Sequence, residues 1–160
     1  MSLREGRDED ADELMRLIRA CWREYASVVF DPAEHDELLA IATTYQQRGG
    51  TCWVVERENN IIASVAVAPS RGNGMELEKL YVDPAERRQG LGARLCSHVE
   101  QYAREHKAGF IELWTDTRFA GAHKLYERLG YVRGPDTRAL DDLSRSVEYY
   151  FRKDMTGDQA

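Results

Sequence analysis

Residues 87–92 read Arg-Arg-Gln-Gly-Leu-Gly, a basic, glycine-containing loop between a strand pattern and a helix pattern. Where a strand feeds a helix through glycines, several backbone N–H groups lack partners and the positive end of the helix dipole lies beside them. With Arg87 and Arg88 adjacent, the junction suits a phosphate or pyrophosphate, and the glycines let an anion approach the backbone. Two familiar fingerprints fail here. A G-x-G-x-x-G dinucleotide motif needs glycine where Leu95 stands, and a Walker loop needs Gly-Lys-Ser/Thr after its spacer. What remains, Arg87-x-x-Gly90-x-Gly92, is equally compatible with a helix start whose small residues serve packing.

The strand before this loop carries a second signal. Its apolar positions fall at Met75 and Leu77, then reappear one residue out of phase at Leu80 and Val82. Because side chains alternate with period 2, the slip predicts a bulge near Glu78-Lys79. A third stretch, Ala122 to Tyr131 (AHKLYERLGY), reads on its own as a core-facing helix with Ala122, Leu125, Tyr126 and Leu129 on one face and Gly130 as its stop.

The elements that must position these residues follow from periodicity. Residues 2–6 suggest a short strand, and Asp8 or Asp10 caps a helix with Ala11, Leu14, Met15, Ile18, Cys21 and Trp22 on one stripe. A turn at Phe30-Asp31-Pro32 leads to a second helix carrying Leu38, Leu39, Ala42 and Tyr45, closed by Gly49-Gly50. Strands at 51–57 and 61–69 joined at Glu58-Asn59-Asn60 make a hairpin, and 75–82 follows as a third meander strand. After the glycine loop come a helix through Leu91, Leu95, Val99, Tyr102 and Ala103, a strand at 110–115, a helix at 117–129, and strands at 131–133 and 147–153. The polar segment 135–145 between the last two is long enough for a flexible flap. The order β-α-α-β-β-β-α-β-α-β-β is that of an α/β sheet with mixed strand directions.

Composition narrows the function classes. The chain of 160 residues fits one domain (1–160), with 42% apolar and 31% charged residues. A net charge of -6 lacks the basic excess of a general nucleic-acid binder and mildly favours a cationic or amine-bearing partner. Cys21, Cys52 and Cys96 are widely spaced inside apolar patterns, which predicts free buried thiols and a reducing, cytoplasmic setting. His35, His98, His106 and His123 show no metal spacing and are expected as lone surface imidazoles. No apolar leader and no run of ~18 apolar residues occurs, so no membrane partner is expected.

Taken together, Arg87-x-x-Gly90-x-Gly92 after a Leu80-Tyr81-Val82 strand, followed some 30 residues on by Ala-x-x-Leu-Tyr-Glu-x-x-Gly-Tyr, resembles the GCN5-related N-acetyltransferase (GNAT) family. The resemblance covers most of the chain, its specific part running from Met75 to Val132. It implies a mixed, mostly antiparallel sheet of about seven strands with four helices, splayed between the fourth and fifth strands. It implies acetyl-CoA as cosubstrate, held by the pyrophosphate loop at Arg87, Arg88, Gln89, Gly90, Leu91, Gly92 and Ala93. The pantetheine arm would pair with Leu80, Tyr81 and Val82, with an N–H near Val82 polarising the thioester carbonyl. Tyr126 falls at the family's general acid, and Glu76 at a position where some members carry a general base, with Glu78 as runner-up. The expected reaction is transfer of an acetyl group to a primary amine of a small molecule or protein by direct attack. Many members carry Asn seven residues before the tyrosine, where this chain has Phe119, and Thr117 or Arg118 are candidates to replace that amide. The alternative on the same fold is a catalytically silent acyl-CoA sensor or regulatory module. Family members are frequently dimers, so a homodimer is a further expectation.

Acceptor selection in such proteins comes from the first two helices, their loop and the last strands. Here these offer Trp22, Tyr25, Phe30, Asp31 and Glu34 on one side and Asp136, Asp141 and Asp142 on the other. Aromatic and acidic groups together would suit an ammonium-bearing acceptor. Taken singly, Trp22 reads as a buried stripe residue and the aspartates as solvated loop residues.

Overall fold

Every residue of strand β3 (Asn60–Pro69) from Ile61 to Ala68 is buried, which a strand achieves only when both faces of its sheet are covered. The computed structural model describes residues 1–155 and places β3 third in a seven-stranded sheet. The other strands are β1 (Ser2–Glu5), β2 (Thr51–Arg57), β4 (Gly74–Val82), β5 (Phe110–Asp116), β6 (Val132–Ala139) and β7 (Val147–Asp154). The sheet order is β1-β2-β3-β4-β5-β7-β6, and the β4–β5 pair alone is parallel, all other neighbours running antiparallel.

Four α-helices cover the faces: α1 (Ala11–Trp22), α2 (Ile41–Gln47), α3 (Leu91–Glu105) and α4 (Ala120–Arg128). Helices α1 and α2 bury Leu14, Leu17, Ile18, Ile41 and Tyr45 against Val54, Ala66 and Ala68. On the opposite face Leu91, Leu95, Val99 and Tyr126 pack with Leu77, Leu113 and Phe151. The expected fold class and element order are therefore present.

The parity slip is a bulge. Leu77 and Glu78 pair with Val67 and Ala66, whereas Tyr81 and Val82 pair with Ser64 and Ala63, so β4 holds one extra residue. Lys79 takes it up at φ +58, and the Ser64 hydroxyl donates to the Lys79 carbonyl at 2.8 Å. Leu77 and Leu80 thereby both pack toward α3, which is why the apolar pattern changes phase.

Three local expectations are corrected. The second helix is shorter than read, because Asp36–Ala40 forms a 3-10 turn and regular α-helix begins at Ile41. Helix α4 begins at Ala120 rather than 117, because the Asp116 carboxylate accepts the Arg118 N–H and closes a turn before it. The first part of the proposed flap is strand: β6 continues to Ala139 past an irregularity between Arg133 and Thr137. Only residues 140–146 form a loop, and it is tied down: the Leu140 and Leu143 N–H groups donate to Ser146 O and Glu34 Oε2, and the Ser144 hydroxyl bonds both backbone groups of Val29.

The end of α2 is fixed by close approach. Gly49 turns the chain at φ +82, and the Gly50 N–H donates to Tyr45 O at 2.8 Å. A Cβ on Gly50 would collide with the Val67 carbonyl and lie 2.7 Å from Ala68 Cα, both rigid backbone of β3. We predict that Gly50→Ala destabilises the fold by roughly 3 kcal/mol, read as a lower urea midpoint at unchanged m-value. An unchanged midpoint would show that α2 can lift away from β3.

Candidate active site

Strands β4 and β5 pair only from Gly74 to Glu76, against Phe110 to Glu112. Beyond Glu76 they part, leaving a wedge whose β4 edge carries free backbone groups. The Asp83 N–H donates to Ile62 O on β3 at 2.8 Å, so by antiparallel alternation Tyr81 also faces β3, and Leu80 and Val82 turn their N–H and C=O toward the wedge. The Val82 carbonyl is held by the Cys21 thiol and by Arg87 Nε, each at 3.3 Å. Its N–H remains available for an extended ligand arm.

The wedge opens into a cleft of about 580 Å³, walled by residues 77–81 of β4, Trp114, Thr115 and Asp116 of β5, and Phe119, Ala122 and Tyr126. Tyr126 is 4% exposed, with Tyr131 and Phe151 rings at 5.8 and 5.7 Å. Burial drives its hydroxyl pKa well above the ordinary phenol value, so it stands at the cleft as a protonated O–H donor.

At the start of α3, Gly90 adopts φ +76 and Arg88 φ +66. The first helical bond runs from Arg94 N–H to Gly90 O, which leaves the N–H groups of Leu91, Gly92 and Ala93 without helical partners. Nothing lies within 4 Å of where a Gly90 Cβ would sit, so an anion could approach there. Gly92 serves differently: a Cβ there would press on Leu125 Cδ2 at 2.8 Å, so its smallness lets α3 meet α4. Of the side chains, Arg88 is exposed, Leu91 is buried in the core, and Gln89 bonds Arg57 and Glu86. The Arg87 guanidinium pairs with Glu24 at 2.7 Å and reaches back to Val82 O, so it links the loop, the turn after α1 and β4.

On the other side of β4, Glu76 and Glu78 share a face toward α2. Glu78 accepts from the Tyr45 hydroxyl at 2.6 Å and from both terminal nitrogens of Arg48 at 3.1 and 2.9 Å. Burial alone would raise its pKa, but these bonds hold it below the usual carboxylate range. Glu76 receives no such support. Burial, then the neighbouring Glu78 charge, pushes its pKa up to about 7, with Arg138 and Arg48 offsetting only part. Glu78 lines the cleft, while Glu76 lies outside its lining.

The acceptor side of the cleft brings together Trp22, Glu34, Asp141 and Asp142. The structure leaves Asp31 capping a turn through Ala33 N–H, Asp136 exposed on β6, and Phe30 packed between Trp22 and Arg19. Phe119 stands against Tyr25 at 5.0 Å and Trp22 at 6.5 Å. Arg118 is committed elsewhere than to a cofactor: its guanidinium bonds both Asp116 oxygens, Ser27 O and Oγ, Ser144 O and Ser146 Oγ. The expectation of four surface imidazoles fails at His35, which is buried beside Trp22. Sequence reasoning missed Tyr45, Arg48, His35, Trp114 and Asp116. Only the alternation of Glu112, Trp114 and Asp116 along β5 could have signalled any of them.

Comparison with known proteins agrees with this geometry. The model of the acetyltransferase (GNAT) family matches residues 11–131. The uncharacterized N-acetyltransferase YjgM of Escherichia coli is 34% identical over 134 residues, 77% of each chain. Human N-acetyltransferase 8 is 30% identical over 123 residues, 73% of this chain and 52% of the longer relative. Human N-acetylaspartate synthetase is 33% identical over 101 residues, and only 33% of its length is spanned. A GNAT-family acetyltransferase structure from Staphylococcus aureus Mu50 superposes with TM-score 0.83 at 20% identity, covering 97% of this chain and 99% of the other. An aminoglycoside 6'-N-acetyltransferase crystallised with coenzyme A gives TM-score 0.74 at 17% identity over the whole of both chains. The chain belongs to the acetyltransferase (GNAT) family and is an N-acetyltransferase using acetyl-CoA as cosubstrate.

Proposed function

We propose that the chain acts as one domain that transfers an acetyl group from acetyl-CoA to a primary amine by direct attack, in the cleft beside the β4 bulge. The observation that carries this reading is the wedge between β4 and β5, where free strand-edge groups and the buried Tyr126 hydroxyl face one cavity. The helix start at Leu91, Gly92 and Ala93 takes the pyrophosphate, where three N–H groups and the helix dipole favour an anion. The Val82 N–H polarises the thioester carbonyl and stabilises the oxyanion, a contribution of ~3 kcal/mol in comparable sites. Tyr126 donates its proton to the departing sulfur.

The amine must lose a proton before it attacks. Glu78, in the cleft wall, is kept ionised by Arg48 and Tyr45, and so it keeps its neighbour Glu76 proton-hungry near neutral pH. Glu76, once ionised, acts as the base and takes the proton through an intervening water, since it lies just outside the cleft lining. An acceptor carrying positive charge fits the acidic and aromatic wall of the cleft.

Thiol release from acetyl-CoA over a panel of amines tests the reading. Tyr126→Phe should lower kcat by about 10² to 10⁴ while acetyl-CoA still raises the melting temperature. Equal turnover by both proteins would remove Tyr126 from the chemistry. Acetyl-CoA binding with no thiol release on any amine would favour a silent acyl-CoA module, the reading that Phe119 keeps open.

The pH profile tests the base. A carboxylate must be deprotonated to act, so kcat/KM should rise with pH through about 7 as Glu76 ionises. Glu78→Gln removes the adjacent negative charge, so Glu76 ionises more easily and the rising limb should move to lower pH. A limb that stays in place in Glu78→Gln, or survives in Glu76→Gln, would point to another base.

A further inference from the structure

Most acidic side chains lining the cleft already have a cation. Glu37 pairs with Lys79 at 2.8 Å, Glu78 with Arg48 at 2.9 Å, Asp116 with Arg118 at 2.7 Å and Glu148 with Arg138 at 2.7 Å. Glu34, Asp141 and Asp142 form no salt bridge among the described residues, although all three line the same cavity; Asp142 feels the Arg118 charge, but that guanidinium is already paired with Asp116. They come from two loops joined by the hydrogen bond from Leu143 N–H to Glu34 Oε2 at 3.0 Å.

His35 supplies a second, independent observation on this wall. Its side chain is nine-tenths buried, lines the cleft, and leaves Nε2 without a partner. Burial holds its pKa below the ordinary imidazole value, with Lys79 adding to the effect and Glu37 opposing it. Nδ1 lies 3.9 Å from Glu37 Oε1, beyond hydrogen-bond distance, so no bond within the protein fixes the tautomer and a ligand N–H can select the form in which Nε2 accepts. Trp22 stands edge-on to the same ring at 5.1 Å.

An unpartnered imidazole nitrogen, an aromatic wall and three acidic side chains outside any salt bridge together describe a seat for an ammonium group other than the one being acetylated. We propose that the acceptor is a small aliphatic di- or polyamine, its distal ammonium held by His35, Glu34, Asp141 and Asp142 while its other amine reacts at the bulge. This rests on the transferase reading above. The volume of about 580 Å³ suits a small molecule, and the tethered loop 140–146 leaves the mouth bounded on both sides.

The test compares 1,4-diaminobutane and spermidine with n-butylamine and a lysine-containing peptide, by thiol release at fixed acetyl-CoA. The diamine should exceed n-butylamine in kcat/KM by about tenfold or more, mainly through KM, and the advantage should shrink with added salt. In the Glu34→Gln, Asp141→Asn, Asp142→Asn triple variant the ratio should fall to within about twofold, since three partly exposed charges are lost. The amides can still accept the Leu143 and Ser146 N–H bonds that order the loops, and a melting-temperature rise with acetyl-CoA shows that the variant is folded. His35→Leu should raise KM for the diamine more than for n-butylamine. Equal use of the two amines by the wild type, or a preference for the peptide alone, would overturn the inference while leaving the transferase intact. Failure of every amine would remove the transferase reading and this inference with it.

Discussion

A parallel strand pair that stops after three residues imposes the main constraint on this molecule. Backbone N–H and C=O groups inside a sheet must find partners, and an unpaired edge between two internal strands is a strong demand for one. The β4 bulge enforces the separation: the extra residue at Lys79 redirects the second half of the strand away from β5. A ligand with its own amide groups can enter as a substitute strand, and the wedge then leads it to the wall where Tyr126 stands. The holding of Val82 O by Cys21 and Arg87 fits this picture, because it fixes the peptide plane whose N–H must stay available.

The same strand sets the electrostatics. Two carboxylates on one strand face cannot both ionise cheaply when half-buried, so whichever is better supported fixes the state of the other. Three hydrogen bonds, one from Tyr45 of α2 and two from Arg48 at its C-cap, choose Glu78 as the ionised partner. Glu76 is thereby moved to a proton affinity useful near neutral pH without itself carrying a dedicated partner. The position of α2 is in turn governed by Gly50 against β3, so a backbone contact outside the cleft helps to tune a group beside it.

Much of this was legible in the residues alone, for physical reasons that also explain what was not. The bulge could be read because period 2 makes a one-residue insertion visible as a change of phase, and the glycine loop because only a few residue types permit its backbone. Local signals failed where the deciding contact was distant. Tyr45 and Arg48 meet Glu78 from 33 and 30 residues away, and nothing near either end announces the meeting. Residues 135–139 carry no strand signal because β6 is an edge strand with an exposed outer face, where polar residues and Pro135 are tolerated and the alternation disappears. Trp22 fitted a buried stripe by spacing, yet the end of α1 overhangs the cleft, so the same position packs and lines the cavity.

The loop side of the cleft poses a problem that the Arg118 brace answers. Its walls are two irregular loops carrying Glu34, Asp141 and Asp142, and the conformational entropy of such segments favours opening. Arg118 opposes this with a planar fork of donors spread over Ser27 of one loop and Ser144 and Ser146 of the other, its charge balanced by Asp116 beneath. Phe119, next in the chain, adds an aromatic contact to Trp22 and Tyr25 from the same turn. Position 119 thus packs toward the end of α1, and its phenylalanine belongs to a turn that holds the two loops together.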